Sequence, residues 1–316
     1  MLISTLSKSK YLAILVILSA TSIFAGNVGI DIEGLYWQPS EASSAAWATV
    51  ASTVPTNPTD LTPESIDFNS DYGLRLGVTY QPTSDYFDTS LYYTSFTTDA
   101  DNHVPVGNQL IVPEFFSGFL SGNVFFGADA DWQIALHQID LQISHLYHPK
   151  QSISLRPKLG ITAVRIDQTV SAQWNAVIYN STEKVKNDFQ GIGPSIGLDA
   201  NWNFYHGFSL VGDLTAALMY GDWDIKDTYQ RPSALFGLIT PTTINTATTP
   251  SDYGVAMYGY FFGVKWAHQG RSDVALKLGY EMQHWSDQLR VQNFEQLPVH
   301  GDLTFEGLTC GIYINV

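Results

Sequence analysis

Alternation of apolar and polar residues dominates this sequence and is most regular between residues 192 and 204. There the apolar residues occupy every second position: Ile192, Pro194, Ile196, Leu198, Ala200, Trp202 and Phe204. A period of two places successive side chains on opposite faces of a β-strand, so one face meets an apolar medium and the other a polar one. Ten segments show the pattern: 27–38, 70–80, 85–97, 131–147, 153–167, 188–204, 207–224, 254–267, 273–286 and 302–316.

The connections between these segments are alternately short and long. The short ones carry turn-forming residues and lie at 81–84, 148–151, 205–207 and 268–271. The long ones cover 39–69, 98–130, 168–187, 225–253 and 287–301. An outer-membrane barrel with both chain ends in the periplasm needs short periplasmic turns and long external loops in this order. We therefore predict an all-β fold, an antiparallel up-and-down transmembrane β-barrel of about ten strands.

Some details of the barrel stay open at the level of the sequence. The loop segments 112–120 and 232–250 contain stretches that are too apolar for free solvent. The first is compatible with a short helix in the barrel mouth, a strand pair or a contact surface, and a hairpin in either loop would raise the strand number to twelve. In segment 131–147 the parity of the apolar residues changes near Gln138, which predicts a β-bulge.

The first 25 residues have the features of a secretory signal peptide. Lys8 and Lys10 precede a short apolar run, and Ala25 ends a stretch that can serve as a cleavage site. The run is too short to span a bilayer as a helix. We expect export through the Sec pathway to the bacterial outer membrane, with residues 26–316 forming a single barrel domain.

The composition restricts the classes of partner and cofactor. The formal net charge is −15, and charged residues make up only 14% of the chain, against about a quarter in ordinary soluble domains. So acidic a chain lacks the basic surface that nucleic-acid binding needs. The single cysteine, Cys310, excludes an internal disulfide and Cys-rich metal sites. Its parity matches that of Ile312, so we expect it to face lipid, and we predict no cofactor.

Aromatic residues concentrate at both ends of the predicted strands, as they do in the two interfacial girdles of a membrane barrel. One set lies beside the short turns: Tyr80, Tyr86, Phe87, Tyr147, Trp202, Phe204, Phe208 and Trp266. The other set lies toward the long loops: Trp37, Tyr72, Tyr93, Trp132, Tyr220, Trp223, Tyr258, Tyr280, Trp285 and Phe305. The sequence therefore predicts two belts on the outer wall.

Strand parity also assigns the charged side chains. A charge that faces lipid costs about 2–4 kcal/mol at mid-membrane, so these charges are predicted to line the lumen. The cations are Arg75, Arg156, Lys158, Lys265 and Lys277, and the anions are Asp31, Glu33, Asp199, Asp213 and Glu281. Inward glycines such as Gly77 and Gly279 either leave room for water or relieve curvature. The balanced charges predict weak ion selectivity.

Several short motifs extend over the mature chain. They are GLYWQP at 34–39, DYGLRLG at 71–77, LRPKLG at 155–160, RIDQ at 165–168, GIGPSIGLD at 191–199 and LGYEMQ at 278–283. In order and spacing they resemble the Legionella-type major outer membrane protein family, which also occurs in Chlamydia-related bacteria. This resemblance implies a pore-forming outer-membrane protein. Val316 departs from the aromatic residue that ends many such barrels.

Three functions are compatible with a barrel of this kind. The first is a narrow passive diffusion pore for small solutes or ions, and the second is a non-porous barrel that acts as a surface adhesin or a structural envelope protein. The third is a barrel enzyme, because His103, His284 and His300 lie near aspartates toward the external side. No serine elbow, HExxH or phosphate-loop motif appears, so we predict no enzyme. The partners we expect are outer-membrane lipid and lipopolysaccharide, small polar solutes or ions, and optionally a second copy of the chain.

Overall fold

The computed structural model describes residues 26–41, 46–52, 61–83, 87–113, 125–233, 240–268, 273–292 and 298–315. The predicted signal peptide and Tyr86 lie outside these ranges, as does part of each apolar loop stretch. The strands of the described ranges are β1 (Gly26–Glu41), β2 (Ala46–Ser52), β3 (Leu61–Ser65), β4 (Asp71–Pro82), β5 (Asp88–Val104), β6 (Gln109–Pro113), β7 (Phe125–Ser144), β8 (Tyr147–Lys150), β9 (Ile153–Ala176), β10 (Asn180–Tyr205), β11 (Phe208–Arg231), β12 (Thr242–Thr248), β13 (Ser251–His268), β14 (Asp273–Gln292) and β15 (Pro298–Asn315). In these ranges we find no helix with the length and hydropathy required to cross a bilayer.

Ten of the strands close into an antiparallel ring. Its order is β1, β4, β5, β7, β9, β10, β11, β13, β14 and β15, and β15 pairs back onto β1. Because the ring is closed, each strand has a hydrogen-bonded neighbour along both of its edges. This pairing satisfies the backbone hydrogen-bonding groups in lipid. The predicted ten-stranded antiparallel barrel is therefore confirmed.

The other strands add to this ring without entering it. β2, β3 and β6 form a small sheet at the long-loop end, where β6 also touches β7. β12 pairs with β11 directly beyond the stretch of β11 that pairs with β13, so it prolongs the lane of β13. The apolar stretch that begins at Val112 thus starts as part of a strand pair, and the ring keeps ten strands.

The outer wall of the ring carries an apolar band. On β10 it runs from Phe204 to Ile192, and Ile196 in its middle is 60% exposed. This stretch corresponds to about 40 Å of strand, and at a tilt of about 40° it covers about 30 Å of height. That height suits the hydrocarbon layer and the two aromatic girdles of an outer-membrane barrel.

Beyond this band the strands continue and the two faces of the wall exchange polarity. On the external part of β10, Phe189 and Val185 face inward and are buried, while Lys184 faces outward. The apolar side chains turn inward there because the surrounding medium changes from lipid to water. The predicted loop 168–187 is therefore mostly strand, and only residues 177–179 link β9 to β10.

The same exchange accounts for the pattern on β7. Trp132, Ile134 and Leu136 are buried and share the inward parity of Gln138. The register of β7 with β5 and β9 runs without interruption past Gln138. The predicted bulge is therefore wrong, because the chemistry of the inward face changes at this point while the backbone alternation does not.

A hydrophobic core fills the external half of the ring. Its largest members are at most 1% exposed: Trp37, Trp47, Trp132, Trp174, Trp223, Trp285, Phe96, Phe189 and Phe305. The prediction that Trp37, Trp132, Trp223, Trp285 and Phe305 belong to the external girdle is thus wrong. Their parity points inward, and their outward neighbours form that belt instead: Tyr36, Tyr72, Tyr93, Tyr220, Tyr258 and Tyr280 are all exposed.

Candidate functional site

The membrane-spanning half of the ring encloses a polar cavity of about 500 Å³. Inward-facing side chains of all ten ring strands line it. It reaches the strand ends beside the short turns, where His268, Asp273 and Asn315 belong to its wall. Short turns lie on the periplasmic side of outer-membrane barrels. We call this cavity the vestibule.

The ten charged residues predicted to face the lumen all lie on the vestibule wall. They are Asp31, Glu33, Arg75, Arg156, Lys158, Asp199, Asp213, Lys265, Lys277 and Glu281. Strand parity was sufficient to place them, because only the inward face of a membrane strand tolerates charge. Their role in solute passage stays a prediction.

Arg75 lies at the centre of the first of two ionic networks in the vestibule. Its Nη1 is 2.8 Å from Glu33 Oε2, and its Nη2 is 2.7 Å from Glu281 Oε1. Lys277 Nζ also contacts Glu33. Both glutamates are buried, so the pairing offsets the loss of their hydration.

Lys158 lies at the centre of the second network. Its Nζ is 2.7 Å from Asp199 Oδ1 and 2.5 Å from Asp213 Oδ2. The two aspartates stand directly opposite each other on β10 and β11. Like charges in that position destabilise a strand pair, and the lysine between them offsets this repulsion.

Sequence reasoning missed one buried carboxylate of the vestibule, Asp140 on β7. It accepts hydrogen bonds from Thr162 Oγ1 at 2.7 Å and from Gln138 Nε2 at 2.8 Å. The signal was present, because Asp140 alternates with the outward residues Ile139 and Leu141.

Inward glycines make room for aromatic rings. A Cβ atom added at Gly77 would lie 2.4 Å from Cε1 of Tyr92, and one added at Gly279 would lie 2.6 Å from Cζ of Phe261. The space over these glycines is therefore filled by side chains. At these two positions there is no room for water, and relief of curvature stays an expectation.

An aromatic layer lies directly beyond the vestibule, made of Trp37, Phe96, Phe189, Trp223, Trp285 and Phe305. The Trp37, Phe96 and Phe305 ring centroids are 5.5–6.2 Å apart. On the facing wall, the rings of Phe189 and Trp223 are 4.6 Å apart. Since all six side chains are at most 1% exposed, they close the lumen at this level.

The first ionic network is joined to the aromatic layer. Trp37 Nε1 donates a hydrogen bond to Thr309 Oγ1 at 3.3 Å, and Thr309 Oγ1 donates one to Glu281 Oε2 at 2.7 Å. The Arg75 guanidinium lies 5.6 Å from the centroid of the Trp37 ring. A movement of Trp37 would thus disturb the charges beneath it.

A bend in β14 crosses the lumen on the external side of the aromatic layer. We call residues 286–290 the strap, because the backbone carbonyl of Gln288 accepts hydrogen bonds from Gln168 Nε2 at 3.1 Å and Asn187 Nδ2 at 2.6 Å on β9 and β10. Asp287 has a φ of 52°, where the register with β15 shifts. The guanidinium of Arg290 lies 3.8 Å from the Trp223 ring centroid.

The histidines considered for catalysis lie on the outer wall. His103 Nδ1 is 2.5 Å from Asp129 Oδ1, and His284 Nε2 is 3.6 Å from Asp302 Oδ2, with both histidines facing away from the lumen. The side chain of His300 lies outside the described part of the protein. Within that part we find no group of three or more His, Cys, Asp and Glu residues arranged to hold a metal ion.

Cys310 is exposed on the apolar wall, as expected.

The fold is similar to that of one solved outer-membrane protein in particular. The outer membrane protease OmpT from Escherichia coli matches with a TM-score of 0.50 and 10% identity over 92% of this chain and 97% of its own. A major outer membrane protein from Thermus thermophilus matches with a TM-score of 0.32 and 12% identity over 92% of this chain and 100% of its own. At 10% identity the first match shows the fold alone. The TM-score of the second match is too low to support an argument.

Sequence comparison identifies the family directly. No curated protein matches the chain. The profile of the family described as Legionella pneumophila major outer membrane protein precursor matches residues 25–316, which is nearly the whole chain. The resemblance stated from the motifs is thereby confirmed. The chain belongs to the Legionella pneumophila major outer membrane protein family and is a β-barrel protein of the bacterial outer membrane.

Proposed function

We propose that this protein is an outer-membrane channel that carries ions and small polar solutes by passive diffusion, with the aromatic layer as its gate. The observation that carries the proposal is the charged vestibule, which occupies the lumen up to the aromatic layer. A barrel that only has to be stable does not need this arrangement. Buried ion pairs can often be replaced by well-packed apolar side chains at no loss of stability.

The gate follows from the position of the strap. The aromatic layer closes the lumen in this conformation, so conduction requires that its rings move. The strap holds β14 against the facing wall through two hydrogen bonds to the Gln288 carbonyl. Release of these bonds frees the strand segment that follows Trp285, and we propose that the channel opens in this way.

A second function is favoured by the completeness of the core. Six tryptophans in the external half are at most 1% exposed, and the ring extends well beyond the apolar band. A permanently closed barrel that acts as a surface adhesin or a structural envelope protein would have these features. In that case the strap and the aromatic layer would be purely structural.

The partners follow from the surfaces. We propose that the apolar band contacts lipid, that the charged external wall contacts lipopolysaccharide, and that the vestibule admits small polar solutes or ions. A homo-oligomer is compatible with this arrangement. The proposal needs no enzymatic activity, and it includes Sec-dependent export.

Single-channel recording in planar bilayers tests the proposal. The refolded mature chain is compared with a Gln168→Ala/Asn187→Ala variant, which loses both donors to the strap. A Thr169→Ala/Gln190→Ala variant is the matched control, because both side chains lie on the outer wall of the same strands. We expect brief openings of the wild type and the control, and longer openings of the strap variant.

The alternative outcome is equally clear. If folded wild type and folded strap variant both fail to conduct, the channel proposal is refuted and the closed barrel is favoured. Equal open times in wild type and strap variant would refute the gate and leave the channel. Folding is checked by far-ultraviolet circular dichroism.

A further inference from the structure

We infer that the periplasmic mouth of the vestibule binds a small multivalent oxyanion, such as phosphate or a dicarboxylate, between Arg156 and Lys265. The inference deepens the proposed function, since it rests on a vestibule that is filled with water and open to the periplasm. It does not require that the channel conducts. Binding and conduction can therefore be tested separately.

Lys265 differs from the other lysines of the vestibule in its pairing. Lys158 and Lys277 each contact carboxylates. Among the described residues no carboxylate oxygen lies within 4.0 Å of the Lys265 ammonium group, which instead lies 5.9 Å from the ring centroid of Tyr313. The ammonium group thus stands in the cavity without a counter-ion.

The strand register increases the cost of this arrangement. Lys265 on β13 is directly opposite Lys277 on β14. Like charges in this position destabilise a strand pair. Lys277 relieves the repulsion by contacting Glu33, whereas Lys265 has no such partner in the described ranges. A bound anion would supply the missing negative charge.

Arg156 completes the site from β9, which two strands separate from β13 in the ring. Its Nη2 is 3.4 Å from Asp88 Oδ2, a longer contact than the ion pairs deeper in the vestibule, and its side chain is 28% exposed. It is near enough to interact electrostatically with both Lys265 and Tyr313. Arg156, Lys265 and Tyr313 thus all belong to the vestibule wall.

The carboxylates that face Lys265 do not fill this space. Asp31 and Asp199 are the anions that act on Lys265 electrostatically. Asp199 is held by Lys158 at 2.7 Å, and Asp31 interacts most strongly with Glu33 and Lys277. Neither reaches the Lys265 ammonium group within 4.0 Å. Among the described residues of this mouth, Arg156 is paired with Asp88, whereas Lys265 has no carboxylate oxygen within 4.0 Å.

The chemistry of the donors defines the ligand. A guanidinium group binds carboxylate or phosphate oxygens through two parallel N–H donors, and an ammonium group adds a point charge. Two donors on separate strands favour an anion with at least two charged oxygens over a monovalent one. The anion would enter from the periplasm, because the aromatic layer closes the other end.

Isothermal titration calorimetry tests the inference. The refolded mature chain in non-ionic detergent is titrated with inorganic phosphate and, separately, with succinate, in a buffer that contains no other multivalent anion. We expect one bound anion per chain for at least one of the two. Lys265→Gln and Arg156→Gln should each weaken binding at least about tenfold, since each removes one charge-assisted contact.

Two controls keep the result interpretable. Lys226→Gln removes a lysine that is paired with Asp224 on the external outer wall, so it should bind like the wild type. Lys265→Arg keeps the charge and should retain binding, which separates loss of charge from loss of fold. Circular dichroism confirms the strand content of every variant.

Each outcome decides something. No binding by the wild type up to about 10 mM of either anion would overturn the inference, as would equal affinities of the wild type and both glutamine variants. An anion that binds to a barrel without conductance would refute the proposed function and leave the site. A barrel that conducts without binding either anion would refute the site and leave the function.

Discussion

The guanidinium of Arg75 donates two hydrogen bonds to the carboxylate of Glu281, at 2.7 and 3.2 Å, across the two strands that separate β4 from β14 in the ring. A third hydrogen bond, at 2.8 Å, links Arg75 to Glu33. This bridge connects the two chain ends of the barrel, because β1 and β15 lie between its members. It also lies directly beneath Trp37, so the same residues tie ring closure to the aromatic layer.

Arg75→Met is expected to destabilise the barrel by about 3–5 kcal/mol, because Glu33 and Glu281 would remain buried without their common partner. The measurement is the free energy of unfolding in urea for the protein in detergent micelles. Lys226→Met is the matched control, since it breaks an exposed ion pair that contributes little to stability. Equal losses in the two variants would contradict the assigned role of the bridge.

Ile196→Lys is expected to cost about 2–4 kcal/mol in lipid bilayers, because Ile196 faces outward in the middle of the apolar band. Gln190→Lys, on the same face of β10 beyond the band, should cost less than about 1 kcal/mol. Reversible unfolding from phospholipid bilayers measures both. A similar cost at the two positions would show that the membrane boundary is misplaced.

Trp37→Ala is expected to lower the free energy of unfolding by about 3–5 kcal/mol, because it leaves a cavity among Phe96 and Phe305. Under the channel proposal it should also lengthen the openings in single-channel recordings. Trp266→Ala, on the outer wall beside a short turn, should cost less and leave the openings unchanged. Recordings of Trp37→Ala that match the wild type would argue against this ring as part of the gate.

The stability of the external part of the barrel should depend on pH through Asp227. Asp227 lies in the part of β11 beyond the apolar band, where burial raises the pKa of its carboxyl from 3.8 to about 6. Burial and the nearby Asp227 also raise the pKa of Glu183 well above its usual value. Between about pH 4 and 6 the folded protein holds a proton on Asp227 that the unfolded chain has already released. Stability therefore falls as the pH rises through this range, and the loss is complete above it.

Asp227→Asn should remove this loss. The variant is expected to be more stable than the wild type at pH 8 by roughly 1–3 kcal/mol and to show a smaller slope between about pH 4 and 6. Urea unfolding at a series of pH values measures the slope. Asp224→Asn, on the outer wall of the same strand, should keep the slope of the wild type. An unchanged slope in Asp227→Asn would rule out Asp227 as its source.

The membrane half of the fold could be predicted because lipid imposes one rule on every strand. A charge on the outer face is costly, so the parity of Ile192 and Ile196 was enough to place Asp199 in the lumen. In the same way, Leu155 and Leu159 placed Lys158 there. Ring closure followed from the even number of strands and the alternating connections.

The external half could not be predicted with the same rule, because water surrounds it. Apolar residues there face inward. The rule that apolar residues face outward, which holds for membrane strands, therefore wrongly assigned Trp37 to a girdle and residues 168–187 to a loop. The signal was present in the sequence: Trp132 and Leu136 keep the parity of Gln138. Along each strand, the apolar residues move from one set of alternate positions to the other. Where this happens at a similar height on neighbouring strands, it marks the membrane boundary.

The pairing inside the vestibule was beyond sequence reasoning for another reason. Arg75 and Glu281 are more than two hundred residues apart, and their contact depends on the stagger of the closed ring. Strand parity states that both face inward but gives no relative height. The same holds for the strap, because its bend at Asp287 requires a backbone conformation that is rare for residues other than glycine.

Cysteine accessibility tests the central claim, an aqueous vestibule that opens to the periplasm and ends at the aromatic layer. In a Cys310→Ser background, single cysteines replace Thr215 on the vestibule wall, Leu214 on the lipid face and Gln230 on the external wall. A membrane-impermeant, charged thiol reagent is then applied to whole cells or to cells with a permeabilised outer membrane. We expect Thr215→Cys to react rapidly only after permeabilisation, Gln230→Cys to react in both cases and Leu214→Cys in neither. Rapid reaction of Thr215→Cys in intact cells, or none after permeabilisation, would contradict the claim.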